Sequence, residues 1–156
     1  MGFLTGKTAI ITGGGRAVLS NGECGSIGYG IATAYAKEGA NLVVTGRNVQ
    51  KLTDAKEELE KKYGIKVLPV QADVSASADN EAIVQNVVKQ AIDTFGRIDV
   101  LINNAQASAS GVTIADHTTE QFDLAVYSGL YAAFYYMKAC LSLIHISEPT
   151  RPLYIS

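Results

Sequence analysis

Four short runs of apolar and β-branched residues alternate along the chain with longer segments of helical periodicity. The runs are KTAIIT (7–12), NLVVT (41–45), KVLPVQ (66–71) and IDVLINN (98–104). A run that is apolar at nearly every position is typical of a strand buried on both faces, as in a parallel sheet covered by helices. The alternation therefore predicts βαβ units on one parallel sheet with flanking helices.

Three of the intervening segments carry apolar residues at helical spacing, and each ends at a glycine. They are GYGIATAYAKEG (28–39), VQKLTDAKEELEKKYG (49–64) and NEAIVQNVVKQAIDTFG (80–96). A glycine directly after the last periodic residue is a common end of a helix, because it adopts the left-handed conformation. In the second segment the residues expected to face the core are Val49, Leu52, Ala55, Leu59 and Tyr63.

The last segment, HTTEQFDLAVYSGLYAAFYYMKAC (117–140), predicts one long helix. Thr118 and Gln121 have the spacing of a capping box, in which each satisfies a backbone N–H of the other. His117 stands alone beside this cap, so we assign it a structural role.

Composition excludes several classes of protein. Hydrophobic residues make up 47% and charged residues 18%, which is typical of a globular domain. The formal net charge of −2 gives no basic excess for binding nucleic acid or an anionic membrane. Cys24 and Cys140 form neither a disulfide framework nor a metal-ligand cluster. No apolar run is long enough to span a bilayer, and no signal peptide is recognisable, so we expect a cytoplasmic protein without a membrane partner.

The first predicted strand runs directly into a glycine-rich loop, TGGGRAVLSNGECGSIGYGIA (12–32). Glycines let a backbone turn sharply and approach a phosphate closely, and the following helix offers free N–H groups at its N-terminus. A strand before such a loop and a helix after it are the context that a dinucleotide-binding loop requires.

Four motifs together resemble the short-chain dehydrogenase/reductase family. TGGGR…SIG is similar to the TGxxxGxG loop, ADV (72–74) to the adenine-contacting Asp-Val, and DVLINNA (99–105) to the NNAG motif after the fourth strand. TGR (45–47) is similar to the segment that meets the adenosine ribose. The resemblance covers roughly residues 5 to 140. It implies an incomplete doubly wound Rossmann-type sheet of strand order 3-2-1-4, and a homo-oligomeric parent protein. The cofactor-binding residues that it implies are Gly13, Arg16, Ser26, Ile27, Gly28, Arg47, Asp73, Val74, Asn103 and Ala105.

Three departures from the family pattern stand out. A segment AVLSNGECG (17–25) is inserted in the glycine loop and puts Ser26 where the second motif glycine usually lies. Gln106 replaces the glycine of NNAG, and Gly129 stands where the family usually has an asparagine that holds a water in a proton relay. SIGYGIA also resembles the stretched loop of divergent enoyl reductases, which we keep as the alternative.

The residues after the second strand favour NADP(H) over NAD(H). NAD enzymes usually place an acidic residue there, on the ribose 2′-hydroxyl. This chain has Gly46 followed by Arg47, and Arg16 faces the same region in the family's layout. Guanidinium groups suit a 2′-phosphate, because they donate paired hydrogen bonds to charged oxygens.

The family's proton donor is a tyrosine with a lysine four residues on, beside a serine that orients a small-molecule substrate such as a ketone or alcohol. No tyrosine in this chain has a lysine at that offset. Tyr135 and Tyr136 lie near Lys138 at the wrong spacing, so we interpret them as packing residues. We therefore predict an inactive chain, and a nucleotide-binding module that functions as it stands remains open.

The C-terminal segment LSLIHISEPTRPLYIS has a different character from the rest of the chain. It back-translates in one reading frame to a string that resembles a transposase adapter used in preparing sequencing libraries. We therefore predict that residues 1–140 are a truncated dinucleotide-binding domain and that 141–156 are a non-native tail.

Overall fold

A computed structural model describes residues 2–75 and 79–147, and only the backbone of residues 142 and 144–147. Four parallel strands form one sheet in the order β3-β2-β1-β4. They are β1 (Thr8–Thr12), β2 (Asn41–Gly46), β3 (Val67–Gln71) and β4 (Val100–Ile102). The order and the parallel pairing confirm the predicted Rossmann-type sheet.

Five α-helices accompany the strands in the described part of the chain. They are α1 (Ile27–Lys37), α2 (Val49–Tyr63), α3 (Asn80–Phe95), α4 (Thr119–Ala125) and α5 (Ala132–Ser147). The first three each connect two parallel strands, and α2 and α3 end at glycines in the left-handed conformation, as expected.

Each face of the sheet has its own hydrophobic core. Ile10 and Val43 pack with α3 and α5 on one face, whereas Ile11 and Val44 pack with α1 and α2 on the other. Successive side chains of a strand point to opposite faces, so a strand covered on both sides must be apolar throughout. All five residues of β1 are buried, which accounts for the uninterrupted apolar run in the sequence.

Two boundaries differ from the sequence prediction. β4 has three residues, because the chain leaves the sheet after Ile102 and the backbone N–H of Asn104 bonds the Thr12 hydroxyl instead of a neighbouring strand. Val49, expected in the core, is 53% exposed. It is the first residue of α2 and lies before the helix reaches the sheet, and Leu52 is the first of its predicted face to be buried.

The prediction of one long, regular helix over 117–140 is wrong for the middle residues of that range. A π-helical segment, Val126–Tyr131, separates α4 from α5. The Ser128 hydroxyl donates to the carbonyl of Leu124 at 2.7 Å and accepts the N–H of Ala107 at 2.9 Å. A hydroxyl bonded to the preceding turn competes with the regular helical ladder, which favours a local irregularity. The capping box at Thr118 is present as predicted.

Helix α5 runs without a break through Cys140 and Leu141, where the change of sequence character is predicted. Leu143 packs against the core on the α3 side of the sheet. The rest of the predicted tail, residues 148–156, lies outside the described residues. None of the helices in 2–75 and 79–147 has the length and apolarity needed to cross a membrane.

Candidate functional site

The carboxyl ends of the strands border two adjoining cavities. The first, of 260 Å³, lies among the ends of β2, β3 and β4, and we call it the central cavity. The second, of 250 Å³, lies between the glycine loop and the start of α2, and we call it the glycine-loop cavity. Gly13, Gly46 and Arg47 line both, so the two form one continuous site at the edge where ligands bind in open parallel sheets.

The glycine loop turns directly off β1. Gly13 has φ +70°, and its N–H donates to the carbonyl of Thr45 at 2.8 Å. Gly28 lies against this turn so closely that a Cβ placed on it would be 2.2 Å from the Gly13 carbonyl oxygen. Both positions therefore require glycine, and the backbone of α1 approaches the end of β1 more closely than a side chain permits.

A set of four hydrogen bonds joins the end of β1 to the end of β4. The buried Thr12 hydroxyl accepts the backbone N–H groups of Asn104 and Ala105, both at 2.9 Å, and donates to the carbonyl of Ile102 at 3.2 Å. The Asn104 side-chain amide donates to the carbonyl of Thr12 at 2.8 Å. We call these bonds the Thr12–Asn104 clamp. Sequence reasoning missed Asn104, whose only signal was its place in the paired asparagines of DVLINNA.

Ser26 begins α1. Its backbone is extended, and its hydroxyl accepts the N–H of Tyr29 at 3.4 Å, so the residue at the second glycine position of the motif is an N-cap. Ser26 also lines the glycine-loop cavity. The side chain of Ile27 is 77% exposed and lines neither cavity, so only its backbone, in the first turn of α1, is placed to contribute to the site.

Opposite charges face each other across the central cavity. Asp73 and Arg47 are both exposed and line it, together with Val74 and Ala105. The Asp73 carboxylate accepts the hydroxyl of Ser75, and its N–H at 3.0 Å. The Ser75 hydroxyl is the main cause that lowers the pKa of Asp73, and the charge of Arg47 adds to it. Asp73 is therefore an anionic hydrogen-bond acceptor at the rim of the cavity.

The sequence suggested that Arg16 faces the same region as Arg47, but the structure directs its side chain to α2. Its guanidinium bonds the Glu58 carboxylate on α2, and its side chain lines neither cavity. Lys62 contacts the same carboxylate at 2.6 Å. The two cations hold the pKa of Glu58 down to about 2, the Lys62 hydrogen bond being the larger cause. A role for Arg16 in contacting the cofactor stays a prediction.

The insertion 17–25 forms a short two-stranded turn beside the site. Leu19 donates its N–H to Glu23 at 2.8 Å, and Gly25 donates to Ala17 at 2.7 Å, with a bridge between Val18 and Cys24. Ala17 lines the glycine-loop cavity. The insertion therefore begins at Ala17 and ends before Ser26, two residues that both line the glycine-loop cavity.

Two departures from the family pattern meet in space. Gln106 lines the central cavity, and a Cβ placed on Gly129 would lie 3.5 Å from the Gln106 Nε2. The carboxamide of Gln106 thus covers the position at which Gly129 lacks a side chain. Asn103 is not in the central cavity. It lines a separate 60 Å³ cavity beside Gly129, behind Ala105.

Tyr135 and Tyr136 of α5 pack in or against the core on the α3 side of the sheet, as expected. Tyr136 is 1% exposed, and burial raises its pKa to about 12. A hydroxyl with that pKa, enclosed in the core, is not placed to donate a proton to a ligand in either cavity. His117 is half-buried, and its ring Nδ1 lies 3.3 Å from the carbonyl of Thr113, so its structural role stays a prediction. The described residues contain no cluster of three or more metal-ligating side chains.

The loop that brings α1 against the end of β1, and the cavities at the carboxyl edge of a 3-2-1-4 sheet, define the class as a Rossmann-type dinucleotide-binding fold. A family model described as "Enoyl-(Acyl carrier protein) reductase" matches residues 22–149. A 12alpha-hydroxysteroid dehydrogenase from a Clostridium species is 64% identical over 140 residues, which are 90% of this chain and 51% of that protein.

Solved structures of oxidoreductases have a similar fold. L-sorbose reductase from Gluconobacter frateurii, complexed with NADPH and L-sorbose, superposes with a TM-score of 0.75 at 31% identity, over 91% of this chain and 48% of that one. A blue fluorescent protein from a metagenomic library, in complex with NADPH, has a TM-score of 0.74 at 30% identity, over 89% and 51%. The chain belongs to the short-chain dehydrogenase/reductase family, and it spans about half the length of the curated relatives it matches first.

Proposed function

We propose that this chain is the cofactor-binding part of an NADP(H)-dependent oxidoreductase that transfers hydride between the cofactor and an alcohol or ketone. The observation that carries the proposal is Arg47, an exposed cation that lines both cavities directly after β2, where Gly46 leaves no acidic side chain. A carboxylate at that place would favour a ribose 2′-hydroxyl and repel a 2′-phosphate.

The residues around the cavities fit a dinucleotide. Gly28 has no side chain where the loop must lie close to α1, and the first turn of α1 offers backbone N–H groups suited to a pyrophosphate. Asp73 and Val74 would hold the adenine side, and Arg47 the ribose. Ala105 and Gln106 line the central cavity where β4 ends and would border the nicotinamide side, and Asn103 lines the small cavity behind Ala105. The bound cofactor supplies a hydride acceptor or donor. The chain's own residues bind it, orient it and exclude water from one of its faces.

For the whole protein we propose a hydroxysteroid substrate. The support is the 64% identity to a 12alpha-hydroxysteroid dehydrogenase, which is far above the 28–34% identity of the next relatives. In the oxidative direction a carbinol carbon loses hydride to the cofactor, and its hydroxyl proton passes to a general base.

We propose that the chain by itself does not turn over. The proton-transferring tyrosine needs a lysine four residues on, and the printed sequence contains no such pair. Tyr136 is buried, has a raised pKa because of that burial, and lines neither the central cavity nor the glycine-loop cavity.

The test is titration of the purified chain with NADPH, followed by the cofactor's fluorescence. We expect binding, with NADPH tighter than NADH, and no oxidation of NADPH with a panel of ketosteroids. The absence of binding to either cofactor would contradict the assignment as a cofactor-binding part. Steady oxidation of NADPH would contradict the proposed inactivity while leaving the binding assignment in place.

A second candidate is part of an enoyl reductase, which the name of the matching family model and the stretched SIGYGIA loop favour. The two candidates differ in the substrate of the whole protein and agree on the cofactor. A full-length relative that carries this N-terminal sequence should reduce a ketosteroid and leave a 2-enoyl thioester unchanged. The reverse result would establish the enoyl reductase instead.

A further inference from the structure

Asn80 is a polar side chain buried at the start of α3, where it joins two segments that are far apart in the sequence. It is 1% exposed, and its Nδ2 donates to the carbonyl of Val74 at 2.9 Å and to the carbonyl of Tyr127 at 3.3 Å. Both partners are carbonyl oxygens, so the amide nitrogen is the group that must face them. The Oδ1 atom has no hydrogen-bond partner within the described residues. Asn80 therefore acts as a double donor that links the end of β3 to the π-helical segment.

The π-helical segment continues this link to the loop after β4. Ser128 follows Tyr127 directly and is 3% exposed, and its hydroxyl accepts the N–H of Ala107 at 2.9 Å. The same hydroxyl lies 3.2 Å from the carbonyl oxygen of Ala107. Hydrogen bonds therefore connect the end of β3 to the loop after β4 through Asn80 and Ser128, and we call this connection the Asn80–Ser128 bridge.

The two ends of the bridge belong to different walls of the central cavity. Val74 lines the cavity from the end of β3, whereas Gln106 and Ala107 line it from the loop after β4. The β3 wall has a further hydrogen bond to the sheet, because the N–H of Ala72 donates to the carbonyl of Gly46 at 3.0 Å. The bridge therefore sets the loop after β4 against a wall that is itself held by the neighbouring strand.

The loop after β4 is held at both of its ends. The Thr12–Asn104 clamp fixes its beginning. Ser128 fixes its far end through the backbone of Ala107. Gln106 lies between these two points, so its position in the central cavity depends on the clamp and on the bridge together.

We propose that Asn80 is a positioning residue for the bound dinucleotide, and that it sets the loop after β4 against the end of β3 through Ser128. The proposal rests on the proposed function, in which the end of β3 would hold the adenine side and the loop would border the nicotinamide side. A dinucleotide must contact both walls at once, so a fixed separation of the walls lowers the cost of binding it. A ligand that reaches only one wall gains nothing from the bridge.

The test measures the binding of NADP⁺ and of adenosine 2′,5′-bisphosphate, which is its adenosine half, to the full chain by isothermal titration calorimetry. Asn80→Ala is expected to weaken NADP⁺ by about tenfold and the adenosine half by less than about twofold. The adenosine half is affected less because the β3 wall keeps its own hydrogen bond to the sheet. A merely structural role would lower the folded fraction, which weakens both ligands by the same factor.

Ser128→Ala acts at the other end of the bridge and should give the same pattern with the two ligands. Because the two residues act in series, the double variant should weaken NADP⁺ by no more than about twofold beyond the weaker-binding single variant, whereas independent effects would multiply. A circular dichroism melt of each variant verifies folding. If Asn80→Ala does not fold, Asn80→Ser replaces it, since its hydroxyl retains one donor, and it should weaken NADP⁺ selectively by a smaller factor.

Asn86→Ala is the matched control. Asn86 is exposed on the same helix, six residues further along it, and lines neither the central cavity nor the glycine-loop cavity. The variant makes the same chemical change on α3 without touching the bridge. Both ligands should therefore bind to it as they bind to the unmodified chain.

The outcomes separate the inference from the proposed function. Equal weakening of the two ligands by the Asn80 variant, or unchanged binding of both, overturns the inference while the proposed function stands. Effects of the Asn80 and Ser128 variants that multiply in the double variant also overturn it, because the two residues then act separately. Failure of the unmodified chain to bind NADP⁺ overturns the proposed function, and the inference with it.

Discussion

Replacing Gly28 by alanine tests whether the close approach of α1 to the end of β1 holds this site together. The added Cβ would lie 2.2 Å from the carbonyl oxygen of Gly13, 2.8 Å from its carbon and 2.6 Å from the side-chain nitrogen of Asn104. Two of these three atoms belong to backbone, so the clash cannot be relieved by rotating a flexible side chain.

The loss of stability in Gly28→Ala can be estimated from the groups that the added Cβ displaces. Overpacking against fixed structure costs about 1–3 kcal/mol. Displacing Gly13 also strains its hydrogen bond to Thr45, and displacing Asn104 strains the Thr12–Asn104 clamp, at about 0.5–1.5 kcal/mol for each bond. Alanine returns up to about 1 kcal/mol of helix propensity relative to glycine. The net expectation is a loss of about 2–4 kcal/mol in the free energy of unfolding.

Gly30→Ala is the matched control on the same helix. A Cβ there would meet only the Cβ of Cys24, at 3.9 Å, which is an ordinary contact. The same chemical change two residues along α1 is therefore expected to leave stability unchanged or to raise it by up to about 1 kcal/mol.

Urea unfolding followed by far-ultraviolet circular dichroism measures both variants, and tyrosine fluorescence provides a second probe because the chain has no tryptophan. Coincident transitions with the two probes justify the two-state free energies. If Gly28→Ala unfolds within about 0.5 kcal/mol of Gly30→Ala, the close approach contributes little and the reasoning from the Gly13 contact is wrong.

Four further predictions follow from single features. Thr12→Val removes the hydroxyl that takes part in three hydrogen bonds of the clamp and is expected to cost about 2–4 kcal/mol in urea unfolding, whereas Thr12→Ser should keep most of the stability. Arg47→Asp should reverse the preference of the chain from NADPH to NADH in a fluorescence titration, and an unchanged preference would contradict the assignment of the cavity. The pKa of Glu58 is lowered from 4.5 to about 2, mainly by Lys62, so its carboxylate stabilises the fold above pH 4.5 and loses that contribution as the pH falls towards 2. Glu58→Gln should therefore be less stable than the unmodified chain at pH 7, by a margin that shrinks as the pH falls from 4.5 towards 2. A margin independent of pH would refute the ion pair. Phe134 is 52% exposed on an apolar face of α5, and β4 pairs only with β1 among the described strands, so we expect the chain to self-associate. Size-exclusion chromatography with light scattering measures this association, and Phe134→Glu should reduce it. A monodisperse unmodified monomer would show that this face is already covered.

The strands and helices could be read from the sequence because each carries its own local signal. Val43 and Val44 lie in a run that must be buried on both faces, and a glycine in the left-handed conformation ends α2. The strand order came from the family resemblance of the motifs, and the structure confirms it. The limits of β4 and the exposure of Val49 were not predictable, because they depend on where the chain leaves the sheet rather than on local periodicity.

In the helical segment from α4 to α5, one feature could be predicted from the sequence and another could not. The capping box at Thr118 uses two side chains three residues apart, so sequence spacing alone reveals it. The π-helical segment at Ser128 depends in part on a bond to Ala107, which is 21 residues away. Local propensity contains no information about such a partner.

The sequence by itself determined the class of fold, the glycine loop and the strand ends at which the candidate ligand-binding residues lie, because periodicity and glycine placement act over a few neighbouring residues. Only the tertiary structure decided what each polar side chain does there. It made Asn104 part of a clamp and paired Arg16 with Glu58. Gln106 and Gly129, two departures that looked independent along the chain, lie against each other. Charge pairing and close packing join residues tens of positions apart, and their free energies depend on distances that exist only once the chain has folded.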